Sequence, residues 1–287
     1  MARKKTFYRW GLTATLFSLV SLAWADPLSE VRKQTETSRL IAGTVDLDSA
    51  GRVTGHHFKD VESLSPGVQQ WLDARIARWE FDTVENNGIR GPAHLVMSLR
   101  LVRKRIDPQQ VLLSVAAADF TQAGVTPAPN EELRVKSMLP PSFPKEAARR
   151  GVSGTVYVIV RINHEGSVVD ADSEQVNLRV VTTQDEMDHF REVLAAAVVK
   201  AARGWTFTVP TAGKYAGQEF YLGRVPVDFI GPDARVPKED KWTAYIPGPR
   251  KIIPWTESEG LLPPDALAAG RLYLIDGHGV KLKTALD

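Results

Sequence analysis

The sequence predicts an α+β protein of two similar modules, each a small antiparallel sheet packed on one helix, followed by a proline-rich tail that ends in a closing hairpin. Three observations predict it: one motif order written twice, apolar residues that switch between a period of two and a period of 3.6, and a proline-dense end. The first copy runs Gly43-Thr44-Val45-Asp46-Leu47-Asp48-Ser49-Ala50-Gly51-Arg52-Val53, resumes at Arg75-Ile76-Ala77-Arg78-Trp79-Glu80-Phe81 and closes with the run from His94 to Val102. The second runs Val158-Ile159-Val160-Arg161-Ile162-Asn163-His164-Glu165-Gly166-Ser167-Val168, then Ala201-Ala202-Arg203-Gly204-Trp205-Thr206-Phe207, then Phe220 to Asp228. Gly51 matches Gly166, Trp79 matches Trp205, and His94 matches Phe220, each 15 residues after its Trp. The Gly-to-Trp spacing is 28 in one copy and 39 in the other, so one loop varies while the order holds, as in a duplicated folded module.

Each copy reads as strand, turn, strand, helix, strand, strand. Val156, Val158, Val160 and Ile162 alternate with Thr155, Tyr157, Ile159 and Arg161, the period of a strand that is apolar on both sides near its middle. Asn163-His164-Glu165-Gly166 is a hairpin turn with Gly where a positive φ is expected. A helix is predicted from Gln184, because Thr183 to Glu186 form a capping box and Met187, Phe190, Leu194, Ala197, Val198 and Ala201 share a face. Gly204 stops it. In the first copy Ser65-Pro66 opens a helix with Val68, Trp71, Leu72, Ile76 and Trp79 at helical spacing. Trp79, Phe81, Trp205 and Phe207 are assigned to the core, where aromatic side chains bury the largest areas.

Residues 1–25 carry Arg3, Lys4, Lys5 and Arg9, an apolar run from Gly11 to Trp24, and Ala23-Trp24-Ala25. A basic head, a short apolar body and a small-x-small stop read as a secretory signal peptide cleaved after Ala25, which places the mature chain in the periplasm. Losing those four cations takes the formal charge from +2 to −2. The basic balance therefore belongs to the leader, which argues against a nucleic-acid partner. The chain has no cysteine, so disulfides and thiolate metal sites are excluded. The expected divisions are the leader, a linker at 26–38, a first repeat at 39–105, a linker at 106–137, a second repeat at 138–231 and a tail at 232–287. No membrane span is expected in the mature chain. The linker between the repeats reads as loop through Thr121 to Asn130, and the tail's Arg271–Ile275 and Val280–Lys283 flank the turn Asp276-Gly277-His278-Gly279.

Catalytic motifs are not found: there is no His-Glu-x-x-His, no Gly-x-Ser-x-Gly and no phosphate-loop Gly-Lys-Ser/Thr. His56-His57 reads as polar residues at a strand end with no third metal ligand, and His164 and His278 as exposed turn residues. Asp46 and Asp48 fall on one solvated strand face. No catalytic residue, cofactor or metal is predicted.

The run Leu139-Pro140-Pro141-Ser142-Phe143-Pro144-Lys145-Glu146-Ala147-Ala148-Arg149-Arg150-Gly151-Val152-Ser153-Gly154-Thr155-Val156 resembles the entry to the C-terminal domain of TonB, the energy transducer of bacterial outer-membrane transport. The likeness extends over residues 138–230 through Phe143-Pro144, Ala147, Arg149, Gly151, Gly154, Val156, Gly166, Trp205, Phe207 and Val225-Pro226-Val227. The first copy shares only the turn, the helix with its Trp, and the last strand. The resemblance implies a non-catalytic protein that grips a peptide or protein, such as the N-terminal segment of an outer-membrane receptor, by strand addition. On this chain that role falls to the edge strand Phe220, Tyr221, Leu222, Gly223, Arg224, Val225, Pro226, Val227 and Asp228. Single side-chain changes at its exposed positions, Arg224 taken as one, are expected to matter little; Pro226, which lacks an N–H, marks an edge, and the alternative is that Pro226 only blunts an edge covered by the other repeat or the tail. The alternative expectation is an inner-membrane-anchored component of receptor-mediated transport, for which residues 26–38 offer a spacer of at most about 45 Å. A third class is an enzyme with a site between the modules.

Overall fold

The computed structural model describes residues 27–86, 89–107, 109–126, 128–238, 240–256, 272–275 and 279–286. The predicted leader and the tail turn Asp276 to His278 lie outside them. Strand β1 (Glu36–Leu47) turns at Asp48 to Arg52 into β2 (Val53–Phe58), and a 3₁₀ turn (Val61–Ser63) leads to helix α2 (Pro66–Ile76). Ser65 sits at the N-cap and Pro66 opens the first turn, where the missing N–H costs nothing. A two-residue ladder of β3 (Glu85–Asn86) and β4 (Ile89–Arg90) follows, then β5 (Ala93–Arg105) and β6 (Val111–Gln122). The sheet order is β2-β1-β5-β6, all antiparallel. Ile41, Val45, Leu95, Met97, Leu99 and Leu101 face α2 and close a core around Leu72, Ile76, Trp79 and Phe81.

After β7 (Arg134–Ser137) the second half repeats the order with α3 (Lys145–Arg149), β8 (Gly154–Asn163), β9 (Val168–Leu178), α4 (Gln184–Ala202), β10 (Thr206–Thr208) and β11 (Phe220–Phe229). Its sheet order is β9-β8-β11-β13, with β13 at Tyr273–Leu274. The Thr183 hydroxyl accepts the Glu186 amide at the head of α4, a cap worth about 1 kcal/mol. Met187, Phe190, Leu194 and Val198 on that helix meet Val156, Val158, Val160 and Ile162 of β8. The short helix α1 (Pro27–Lys33) inserts Val31 into this second core. Both strands and helices are therefore present, and every named strand pairing is antiparallel, as in an α+β fold.

The two turns share one backbone hydrogen-bond pattern: Gly51 donates to Asp48 and Asp48 to Arg52, as Gly166 donates to Asn163 and Asn163 to Ser167. Gly51 (φ 82°) and Gly166 (φ 83°) sit in left-handed backbone, and a Cβ on either would fall 2.3 or 2.0 Å from the carbonyl oxygen of Phe81 or Phe207. Glycine is required there twice over, by conformation and by space. Those glycine carbonyls in turn accept the Phe81 amide at 2.8 Å and the Phe207 amide at 2.7 Å. The turn thus fastens the Trp-x-Phe segment to the sheet. Trp79, Phe81, Trp205 and Phe207 are 3, 0, 2 and 2 % exposed.

Register corrects one sequence match. His94 lies opposite Asp46, whereas Arg161, which holds the place of Asp46 five residues before the turn glycine, lies opposite Leu222. The equivalent of His94 is Leu222, two residues beyond Phe220, because the loop after Trp205 is longer. The linker also differs: Val111–Gln122 is a strand paired with β5 from Leu95 to Arg105, with a bulge opposite Arg100 and Leu101. The bulge breaks the alternation of Leu113 and Val115 before Ala118 and Phe120, and that hides the strand's period in the sequence. Finally, among the described residues the two flanks of the expected tail hairpin pair elsewhere in the molecule. Tyr273–Leu274 pairs with β11, while Val280 donates its amide to Phe120, Leu282 bridges to Phe81, and Lys283 donates to Glu80.

Between those ends the tail joins the sheets. β12 (Thr243–Tyr245) pairs with Glu36–Ser38 of β1, and the next residue, Ile246, exchanges both backbone hydrogen bonds with Leu178 of β9 at 2.7 and 3.1 Å. Gly248 then passes so close to β9 that a Cβ would lie 2.2 Å from the Val176 carbonyl oxygen.

Candidate functional site

Strand β11 pairs with β8 along its whole length, from Phe220 opposite Asn163 to Phe229 opposite Gly154. Its other flank is the predicted edge. The Leu222 carbonyl accepts the Ile275 amide at 3.0 Å, so Leu222 directs its backbone groups away from β8. Because backbone groups alternate along a strand, Phe220, Arg224, Pro226 and Asp228 share that direction. Pro226 therefore withholds its absent N–H from the outer flank and leaves the β8 ladder intact. The flank is not open throughout: Gly223 lies opposite Leu274 and Arg224 opposite Tyr273.

The side chains of β11 differ from expectation. Phe220 is exposed and lies under the Arg161 guanidinium at 4.7 Å, while Leu222, Val227 and Asp228 are half-buried. Tyr221, Gly223, Arg224, Val225 and Pro226 are buried. Tyr221 donates its hydroxyl to the Tyr215 carbonyl at 2.9 Å. Asp228 accepts from Thr155 at 2.5 Å and pairs with Arg179.

Arg224 is the main correction. Its side chain is 4 % exposed, and Nε and Nη2 reach the two oxygens of Glu174, itself 2 % exposed, at 2.7 and 3.0 Å. Arg250 of the tail adds a second guanidinium to Glu174 at 2.9 Å from Nε. A two-pronged arginine–carboxylate pair satisfies geometry as well as charge. Glu174 reaches this position because β9 bulges between Ser173 and Gln175, which lie opposite Val158 and Tyr157. Neither Arg224 nor Arg250 was legible as a partner of Glu174, since 50 and 76 residues separate the contacts and a bulge sets the face.

The residues that carried the family resemblance take up defined places. The Trp205 indole N–H donates to the Leu139 carbonyl at 2.8 Å and so pins the Pro-Pro entry onto the core. Phe143 packs on Phe229 with ring centres 5.1 Å apart. Gly151 turns the chain at φ 63°, and a Cβ on Gly154 would meet the Asn177 carbonyl oxygen at 2.6 Å.

A cleft of about 270 Å³ lies between the sheets, with Ser38 and Arg100 on one side, Tyr157, Asn177 and Arg179 on the other, and Lys238 of the tail across it. Arg179 spends its donors on Thr155, on the carbonyls of Gly154 and Phe229, and on Asp228, so its role there is to brace the end of the second sheet. The histidines lie elsewhere. His56 Nε2 is 2.8 Å from Asp73, His94 Nδ1 is 2.6 Å from Asp46, and His164 is exposed in its turn. Among the described residues no group of three His, Cys, Asp or Glu is placed to hold a metal, and no helix is long and apolar enough to cross a membrane. Comparison of the chain with family models, with curated proteins and with solved structures gives no match.

Proposed function

We propose that this is a non-catalytic, exported protein similar to the TonB C-terminal domain, which binds an extended segment of a protein partner along the outer flank of β11. The observation that carries the reading is the geometry of that flank. Main-chain groups at alternate β11 positions point away from β8, Pro226 lies among them, and among the described residues the neighbouring strand meets that flank only from Leu222 to Arg224. An extended segment can add there as a further strand through backbone hydrogen bonds, with alternate side chains giving specificity. The basic, apolar and small-x-small leader supports export, and the twice-used turn and Trp-x-Phe segment supports two related modules. An outer-membrane receptor's N-terminal segment is the partner class that the resemblance favours.

Leu222 provides the test, because its backbone faces outward and its side chain is outside the Arg224 ion pair. Leu222→Pro removes an outward donor without touching the β8 ladder, whereas Leu222→Ala keeps the donor. Binding of labelled receptor N-terminal peptides, read by fluorescence anisotropy on folded protein, should survive in the alanine variant and be lost in the proline variant. Equal binding by the two variants overturns strand addition.

A further inference from the structure

We infer that Leu272-Tyr273-Leu274-Ile275 is a built-in competitor for the outer flank of β11, and that the partner it imitates is an extended segment with large apolar residues two positions apart. This rests on the strand-addition reading and adds to it the side-chain chemistry of the partner and a device that regulates access.

The corresponding slot in the first sheet shows the contrast. There β6 lies against β5 from Leu95 to Arg105, reached through a short connection. Beside β11 the slot is filled by a short strand of the tail that, among the described residues, meets only Leu222 to Arg224. The tail segment nonetheless carries both elements of strand recognition. Its Ile275 amide donates to the Leu222 carbonyl at 3.0 Å, and Leu272 and Leu274, two apart and hence on one face, pack on the second core. Gly223 makes room for them. A Cβ at that position would lie 2.4 Å from Leu272 Cδ1 and 3.4 Å from Val160 Cγ2, so the missing side chain forms a notch that Leu272 enters. Backbone pairing together with a notch for alternate apolar side chains is how an extended ligand is read by a sheet edge.

A segment held in the same chain competes at a fixed effective concentration, so an external peptide sees its affinity reduced by the fraction of molecules whose flank is open. The probe is a capped, labelled peptide carrying Leu-Tyr-Leu-Ile between polar flanks, titrated against the full mature chain by anisotropy. Leu272→Asp/Leu274→Asp, which expels the tail from the notch, should bind it at least about tenfold more tightly than the parent. Adding Gly223→Val to that variant should abolish the gain, and a peptide with both leucines replaced by serine should not bind. Hydrogen exchange gives a second measurement on the unsubstituted chain: excess peptide should speed exchange of the Ile275 amide while the amides that face β8, those of Tyr221, Gly223, Val225 and Val227, stay protected. If parent and opened variant bind equally, the competitor is overturned while strand addition stands. If neither binds this peptide but receptor peptides bind with the Leu222→Pro sensitivity described above, the Leu-x-Leu preference is overturned alone. If no peptide binds either protein, both readings fall.

Discussion

Asp48 and Asn163 hold equivalent turns with the same oxygen. Asp48 Oδ1 accepts the amides of Ala50 and Arg52 at 2.9 Å each, and Asn163 Oδ1 accepts those of Glu165 and Ser167 at 3.1 and 2.9 Å. Only the first can titrate. The Arg52 amide above all holds the Asp48 carboxyl below its usual range; burial, next in size, opposes it, and the Arg52 side chain and the Ala50 amide add to the lowering. A carboxyl lowered in the folded state contributes stability that is present above its unfolded value of about 4 and is lost as pH falls through the folded value. Asp48→Asn should therefore lie closest to the parent in acid and furthest below it near neutrality, with thermal melts from pH 7 to pH 3 as the measurement. A gap between the two proteins that stays constant with pH would assign the turn no titrating role. The turn glycines were legible in the sequence because glycine and strand start lie within a few residues, but the part played by Asp48 was not: the sequence pattern puts it with Asp46 on a solvated strand face, whereas β1 ends at Leu47 and Asp48 holds the turn.

At the scale of elements, both long helices could be read from capping residues and apolar spacing, and β1, β8 and β9 from the turns between them. Pairings made at a distance could not. β6 was hidden by its bulge, and β12 and β13 are too short to show a period. The outer side of β11 was misread for the same reason: alternation says that Arg224 points to one face, but only the bulged strand β9 and the tail put Glu174 and Arg250 on it. Burial changes what a substitution there means. Removing one partner of a buried pair leaves a charge without its counter-ion, which is far costlier than losing a surface contact. Arg224→Ala should destabilise the protein by about 3 kcal/mol, the lower part of the range for a broken buried pair, because Arg250 still faces Glu174. Urea unfolding measures it, and the double variant Arg224→Met/Glu174→Met should recover most of the loss. A cost below about 1 kcal/mol for Arg224→Ala would mean that Arg250 alone satisfies the carboxylate.

Across the whole molecule, the linker and the tail serve the two sheets in exchanged roles. In the first sheet the linker strand β6 lies beside β5 while Leu282 of the tail bridges to Phe81; in the second, Tyr273–Leu274 of the tail lies beside β11 while β7 of the linker pairs with Phe207 and its neighbours. Each sheet is thus completed by segments outside its own repeat, and this order cannot be read from either repeat alone. The stretch from Thr243 to Lys251 is a direct mechanical link between the sheets, beside the one that α1 makes through Val31. It pairs with β1, crosses to Leu178, and donates the Lys251 amide to the Glu174 carbonyl at 2.7 Å. Tyr245 adds a hydroxyl bond to Glu36 at 3.0 Å, and Arg191 of α4 reaches the Pro247 carbonyl at 3.2 Å. Ile246 is 1 % exposed and lies in the second core, so it couples backbone pairing to burial at the crossing point. Two sheets with separate cores unfold as one unit only while such a link is more stable than either core's own transition. Ile246→Pro removes the amide that reaches Leu178, whereas Ile246→Val keeps it and costs about 1 kcal/mol of packing. In calorimetry the valine variant should melt in one transition shifted slightly downward, and the proline variant should separate into two transitions, one for each core. A single transition in the proline variant, at the temperature of the valine variant, would show that contacts other than this strand hold the halves together.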